Sequence, residues 1–293
     1  MGKRITAEYR DNYKAGAGRA TRSWIILLCV TGLLVAPGPP GGDSGTGDTG
    51  GTGGVAAQER PAASAPSGDE ILRRMEETLF PDSYRMEMEM ITLEASGRER
   101  TLELDVLYRR GTGSYMEILA PPRSRGTRFL QRDGSLWMFM PRGGARSAIR
   151  LAPRDSFQGS VFANSDIGES SYTDDYRGMD PRRERYRHPE LGEVEVFIVE
   201  AVPRRPEAPY GRVVARVTVE GFIPLHMEYY VRSGLRIKEM ELSQIREIAG
   251  RRRPTRMDMR ALDEEGKVST LWVRSLREET FPDRIFTQRH LTR

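Results

Sequence analysis

Few side chains in this sequence could do chemistry, and they are scattered. The three histidines, His188, His226 and His290, stand alone. No HxH or HExxH spacing brings two imidazoles together, so zinc-hydrolase and histidine-base mechanisms have little support. The single cysteine, Cys29, sits inside an N-terminal apolar run, so the remainder of the chain offers neither a disulfide scaffold nor a thiol nucleophile. "GDSG" at Gly42 to Gly45 looks like the surroundings of a serine nucleophile, and "GTGDTG" at Gly45 to Gly50 fits GxGxxG. Neither has the strand before it and the helix after it that would give the pattern a mechanism. Carboxylates are abundant but alternate along strand-like segments, the pattern of a wetted face rather than of a paired acid and base. The expectation is a protein without catalytic residues, metal ligands or cofactor.

The remaining unusual chemistry is soft and apolar. In "YRMEMEMITLE", Tyr84 to Glu94, Met86, Met88 and Met90 alternate with Glu87 and Glu89. A strand with a side-chain period of two would place the three thioethers on one face and both carboxylates on the other. Three readings are open: ordinary core, soft ligands for Cu(I), or the wall of a cavity for a flexible apolar guest. Copper fits least well, because thioethers on one strand face repeat only every ~7 Å and neither histidine nor cysteine lies nearby.

These residues must be positioned by a mainly β fold. "EILRRMEETLFP", from Glu70, has helical apolar spacing at Ile71, Leu72, Met75, Leu79 and Phe80, and Pro81 stops it. Strand-like segments follow almost without interruption, separated by turn signals such as Ser96-Gly97, Asp133-Gly134, Ser233-Gly234 and Glu265-Gly266. Short hairpins between sequential strands imply a single antiparallel meander. Its inward face would collect Met86, Met88, Met90, Leu102, Leu104, Val106, Met227, Tyr229, Met257 and Met259. A sheet with one greasy face must bury it, and only the N-terminal helix and the segment around Asp155 to Glu169 are available as covers. The sheet is therefore expected to curl into an incomplete, half-open barrel closed by that helix and a short lid bearing Phe157, Val161, Phe162 and Ile167. In "LWMFM", Trp137 and Phe139 share one strand face and Leu136, Met138 and Met140 the other. Trp137 and Phe139 are counted among the cavity residues.

Residues 1–36 read as a signal-peptide-like segment, with Lys3, Arg4, Arg10, Lys14, Arg19 and Arg22 preceding the apolar run Trp24 to Ala36. Cleavage near Ala36 and near Ala57 are both compatible with the pattern. Residues 37–67 are too rich in Gly, Pro and Ser to fold and read as a disordered tether, leaving 68–293 as one domain. The net charge of +4 is nearly balanced, so nucleic acid is not an expected partner. The clusters "RRERYRH" (Arg182 to His188) and "RRRPTR" (Arg251 to Arg256) read as solvated loops or strand ends, or as contacts for acidic lipid headgroups or an acidic partner.

At "RFLQRDGSLWMFMPRGGARSAIRLAPRDSFQGSVFANSDIGE" the sequence resembles the outer-membrane lipoprotein-sorting family, the LolA-like periplasmic carriers. The likeness rests on the Asp133-Gly134 turn leading into Leu136 to Pro141, then Arg150, then Ser156-Phe157-x-Gly159-Ser160-x-Phe162 closing on Ser165-Asp166. "FTQRHLTR", Phe286 to Arg293, also resembles the ending of these proteins. The resemblance implies a LolA/LolB-like half-barrel with an apolar concave face and a helical lid. It further implies a non-enzymatic chaperone that shields lipoprotein or lipid acyl chains in the periplasm and touches the inner or outer membrane transiently. The alternative is an envelope sensor or adaptor that uses the same half-barrel to bind and regulate a membrane exporter, such as one of the inner membrane, or another membrane partner.

Overall fold

The computed structural model describes residues 65–144, 147–167 and 171–293. The signal-like run, Cys29, both Gly-rich motifs, nearly all of the tether and the end of the expected lid segment lie outside the described residues. The chain divides after Arg60, and every described residue belongs to the unit Pro61–Arg293.

Helix α1 (Gly68–Leu79) opens this unit, with Ser67 accepting a hydrogen bond from the Glu70 amide at 3.2 Å as its N-cap. Fourteen strands follow. They are β1 (Ser83–Leu93), β2 (Glu99–Arg109), β3 (Gly113–Ala120), β4 (Arg128–Arg132), β5 (Ser135–Phe139), β6 (Ile149–Leu151), β7 (Tyr176–Gly178) and β8 (Arg182–His188), then β9 (Gly192–Pro203), β10 (Arg212–Thr218), β11 (Pro224–Tyr230), β12 (Arg236–Ile248), β13 (Arg251–Ala261) and β14 (Val268–Glu278). Short helices α2 (Asn164–Ile167) and α3 (Tyr172–Asp175) fall between β6 and β7, and α4 (Gln288–Leu291) ends the chain.

All fourteen strands form one antiparallel sheet that does not close. Its centre is the long-range pair β1–β14, in which Met86 opposes Leu276 and Met90 opposes Leu271. From that seam one meander runs outward through β2 to β6 and another through β13 back to β9, where β7 and β8 pair end to end along the same outer edge. The hairpins are the local ones that turn chemistry implies. The seam between the first and last strands carries no local signal.

One charged segment is corrected, and the other is a strand end as expected. "RRERYRH" is a full edge strand, β8, paired only to β9. An edge strand needs no apolar alternation, and charge on it blocks further pairing. "RRRPTR" begins β13, paired with the end of β12. Arg251 and Arg252 are exposed, but Arg253 is 3% exposed. Its Nη1 donates to the Leu79 carbonyl at 3.1 Å and its Nη2 to the Ala249 carbonyl at 3.3 Å, while Arg251 donates to Glu77 O at 3.2 Å. Helix α1 has no basic residue in its last turn. Two arginines of the sheet serve the C-terminal carbonyls that a helix cannot satisfy itself.

The two sheet faces carry separate cores. The concave face packs against Ile71, Leu72, Met75 and Leu79 of α1 and against Phe157, Val161 and Phe162. The convex face has one cluster on β9 to β11 around Val196, Ile198 and Leu225, and another where Phe281, Phe286 and Leu291 cover Tyr115, Leu130 and Phe139. Burial in this last cluster pushes the Tyr115 phenol up to about 12.

Candidate functional site: a methionine-lined cavity under a pinned cover

Period-two alternation makes the concave wall. Tyr84, Met86, Met88, Met90 and Thr92 are the buried residues of β1, opposite Val106 and Leu104 on β2. On the other half-sheet Met227, Met240 and Met259 stand in register across β11, β12 and β13, with Met257 beside Leu242 and Leu271. Packing beneath the helix is incomplete. A cavity of about 120 Å³ remains, walled by Met86, Met88, Met240, Met257, Met259, Val106, Leu242 and Leu271, with Leu79, Phe80, Phe162 and Ile167 on the covering side.

The cavity has a polar fringe that is mostly engaged, although the buried Ser114 hydroxyl on its wall has no partner among the described residues. Glu76 Oε1 accepts from Arg110 at 2.9 Å, and its Oε2 accepts from the amide and hydroxyl of Thr173 at 3.2 and 3.1 Å. Tyr84, Tyr172 and Tyr229 also face the space, and burial pushes all three phenols well above their ordinary value, so they stay neutral. The Tyr172 and Tyr229 hydroxyls lie 3.3 Å apart. No carboxylate here is free to act as a base beside a nucleophile. Among the described residues no group of three or more His, Cys, Asp and Glu side chains could hold a metal ion.

The cover over one end of the cavity is a non-strand segment, the 3-10 turn Phe157–Gly159 running into α2. It is fastened by discrete polar contacts. Arg100 donates to the Gly159 carbonyl at 2.8 Å, the Val161 amide donates to Ser269 Oγ at 2.9 Å, and the Tyr210 hydroxyl lies 2.8 and 2.9 Å from the Asp166 carboxylate oxygens. Gly159 has φ +74°, and a Cβ there would stand 2.6 Å from the Arg100 guanidinium. A side chain there would be strained by the positive φ and would have to push the guanidinium aside. Between the pins Phe157 and Phe162 are buried, with the Phe157 ring 4.9 Å from that of Phe129.

The sequence-derived residues fall into three groups. Met86, Met88, Val106, Tyr229, Met257 and Met259 are on the cavity wall, together with Phe162 and Ile167 from the cover. Met90, Leu104, Met227, Phe157 and Val161 are buried in the same core away from the space, and Leu102 is half-buried against it. Trp137 and Phe139 are a correction: they lie on the convex face in the cluster under the C-terminal segment, whereas Leu136 and Met138 face the concave core. Alternation shows which residues share a face but not which face is concave. Met240 and Leu242 were missed, although the alternation in "IKEMEL" carries the same signal as β1. Tyr172, Glu76 and Arg110 carry no sequence signal, because tertiary folding alone brings them to the cavity.

A long, curled, unclosed antiparallel sheet with a greasy concave face, a helix across it and a short cover defines a LolA-like half-barrel. A LolA superfamily protein from Nitrosomonas europaea superposes with TM-score 0.69 at 27% identity, covering 77% of this chain and 100% of that one. The same fold appears in a domain described as outer membrane lipoprotein-sorting from Vibrio parahaemolyticus, with TM-score 0.65, 22% identity and coverage of 77% and 98%. A DUF1329 family protein from Desulfovibrio piger shares it too, with TM-score 0.67, 20% identity and coverage of 76% and 97%. No curated protein matches the sequence. Residues 111–293 match the model of a family described as "-like: Uncharacterized protein", and the chain belongs to that family. Its fold is LolA-like.

Proposed function

We propose that this protein is an exported carrier that shields acyl chains, of lipoproteins or of another lipid, against its concave face as they cross the periplasm. The observation that carries this reading is the unfilled, methionine-walled cavity directly beneath a segment held by separable pins. A volume of 120 Å³ is close to the ~150 Å³ of an engineered cavity that takes one benzene, so a long acyl chain requires the cover to move. The exchange is energetically feasible. Burying each of Phe157, Val161 and Phe162 is worth roughly 1.5–3 kcal/mol, and each buried methylene of a guest returns ~0.8 kcal/mol. Methionine suits such a wall because an unbranched thioether repacks around guests of different shape.

Export is supported by the basic residues before the apolar run Trp24 to Ala36. No helix among the described residues is long and apolar enough to cross a membrane. In the proposed arrangement residues 68–293 are the carrier domain, residues 37–67 a tether, and membrane contact is transient. The test is transfer of a fluorescent fatty acid or lysolipid between vesicles, with and without the protein. Acceleration supports a carrier. A protein that takes up no lipid yet binds one inner-membrane exporter would instead support an adaptor.

A further inference from the structure

Behind the cover, a second cleft of about 480 Å³ is lined by both apolar and polar residues, the latter including Arg154, Ser160, Ser165, Tyr210, Arg232 and Lys238. Asp166 lines the methionine cavity, while its carboxylate meets Tyr210 and Lys238, both of which line this second cleft.

The cations of this cleft are incompletely matched. Lys238 is largely buried, and its Nζ lies 3.6 Å from Asp166 Oδ2 and 3.3 Å from the Tyr210 oxygen. A charge-assisted N–H···O bond usually closes to ~2.7–2.9 Å, so Lys238 has capacity for a closer anion. Arg232 is held by the Pro206 and Ala208 carbonyls rather than by a carboxylate, and Arg154 is exposed and makes no ion pair among the described residues. The Ser165 hydroxyl is buried without a partner. Two carboxylates also border the cleft: Asp263 is exposed at its rim, and Glu264 is occupied by Lys267 at 2.8 Å.

We infer that this cleft is a headgroup subsite for the phosphate of an anionic phospholipid, seated on Lys238, Arg154 and the Ser165 hydroxyl while the acyl chains enter the methionine cavity on the other side of Asp166. This rests on the carrier reading and narrows its cargo to lipids that bear a phosphate. Binding is coupled to opening. A phosphate drawing Lys238 towards itself weakens the Lys238–Asp166 contact, one of the ties holding α2 over the apolar space.

The experiment compares dioctanoyl phosphatidylglycerol with dioctanoylglycerol, identical in acyl chains, by displacement of a fluorescent naphthylamine probe from the purified protein. The parent should bind the phosphate-bearing lipid about tenfold tighter. Arg154→Gln should reduce that preference while leaving dioctanoylglycerol binding intact, Lys238→Met should weaken the phosphate-bearing lipid by more than dioctanoylglycerol, and Lys238→Arg should restore the preference. Equal affinity for the two lipids in the parent, or equal weakening of both by Lys238→Met, overturns the headgroup subsite and leaves the carrier reading standing. If neither lipid displaces the probe, the carrier reading fails and this inference with it. Inorganic phosphate alone should compete only weakly. If it binds as tightly as the lipid, the cleft serves a free anion and the assignment to a headgroup is wrong.

Discussion

The hydroxyl of Tyr210, on the loop before β10, lies 2.8 and 2.9 Å from the two carboxylate oxygens of Asp166 at the end of the cover segment. Burial and the neighbouring carboxylate push the Tyr210 phenol well above its ordinary value, so it remains a protonated donor. Removing it leaves Asp166 with Lys238 and the Ala163 amide. Tyr210→Phe should lower stability by about 1.5–3 kcal/mol, the range for a hydrogen bond to a charged group, and should speed lipid exchange by loosening α2. Stability and vesicle-to-vesicle transfer are the two readouts. An unchanged transfer rate in a destabilised variant would make this contact part of the static core.

The two faces of the sheet should separate stability from binding. Phe286 is fully buried in the convex cluster with Phe139 and Phe281. Phe286→Ala should cost about 3–5 kcal/mol. Binding measured below the unfolding transition should match the parent, because the methionine cavity is on the other side of the sheet. Loss of lipid binding in the folded variant would show that the C-terminal cover and the cavity are coupled.

That separation also shows how far the sequence could be read. Alternation in β1 located Met86 and Met88 on the cavity wall because a strand's period is fixed by its backbone. The same alternation in β5 could not tell that Trp137 and Phe139 look outward, since the facing of a strand depends on which cover lies where. The β1–β14 seam, the charged edge strand β8 and the approach of Glu76 and Tyr172 to the cavity arise from contacts between residues far apart in the chain. No local pattern records them.

Among the described residues Arg253 is a buried cation without a carboxylate partner within hydrogen-bonding distance, and burial lowers its pKa. Its value is as a cap for α1 through the Leu79 carbonyl. Arg253→Leu should destabilise the fold by about 1.5–3 kcal/mol in urea unfolding. Arg253→Lys should recover little, because a point charge cannot span the two carbonyls that the guanidinium reaches. A leucine variant as stable as the parent would mean that desolvation of the charge offsets everything it bonds to.

His226 sets a pH dependence. Its Nδ1 accepts from Arg216 at 2.9 Å, and burial is the main cause of its lowered pKa, with the Arg216 charge adding and those of Glu228, Glu239 and Glu241 opposing. The unfolded imidazole titrates near its ordinary ~6.5. Below that pH the unfolded chain takes up a proton that the fold refuses, so this contribution to stability is present above ~6.5 and lost as the pH falls towards the lowered folded value. Melting temperatures at pH 7.5 and 5.5 should therefore differ less in His226→Gln than in the parent. An identical pH response would remove His226 from the account.

The most direct test of the carrier reading is native mass spectrometry of the protein purified without detergent, alongside Met86→Leu/Met88→Leu and Met86→Glu/Met88→Glu. Leucine keeps volume and hydrophobicity at a cost usually under ~1.5 kcal/mol per site, so the first variant should fold and retain lipid over a narrower range of species. Carboxylates facing that space must hydrate or stay protonated at several kcal/mol each, so the second should emerge empty. The parent should carry acyl-containing lipid that the glutamate variant lacks. A parent that is lipid-free, and that takes up no fatty acid or phospholipid when offered them, would contradict the central claim and leave the methionines as ordinary core.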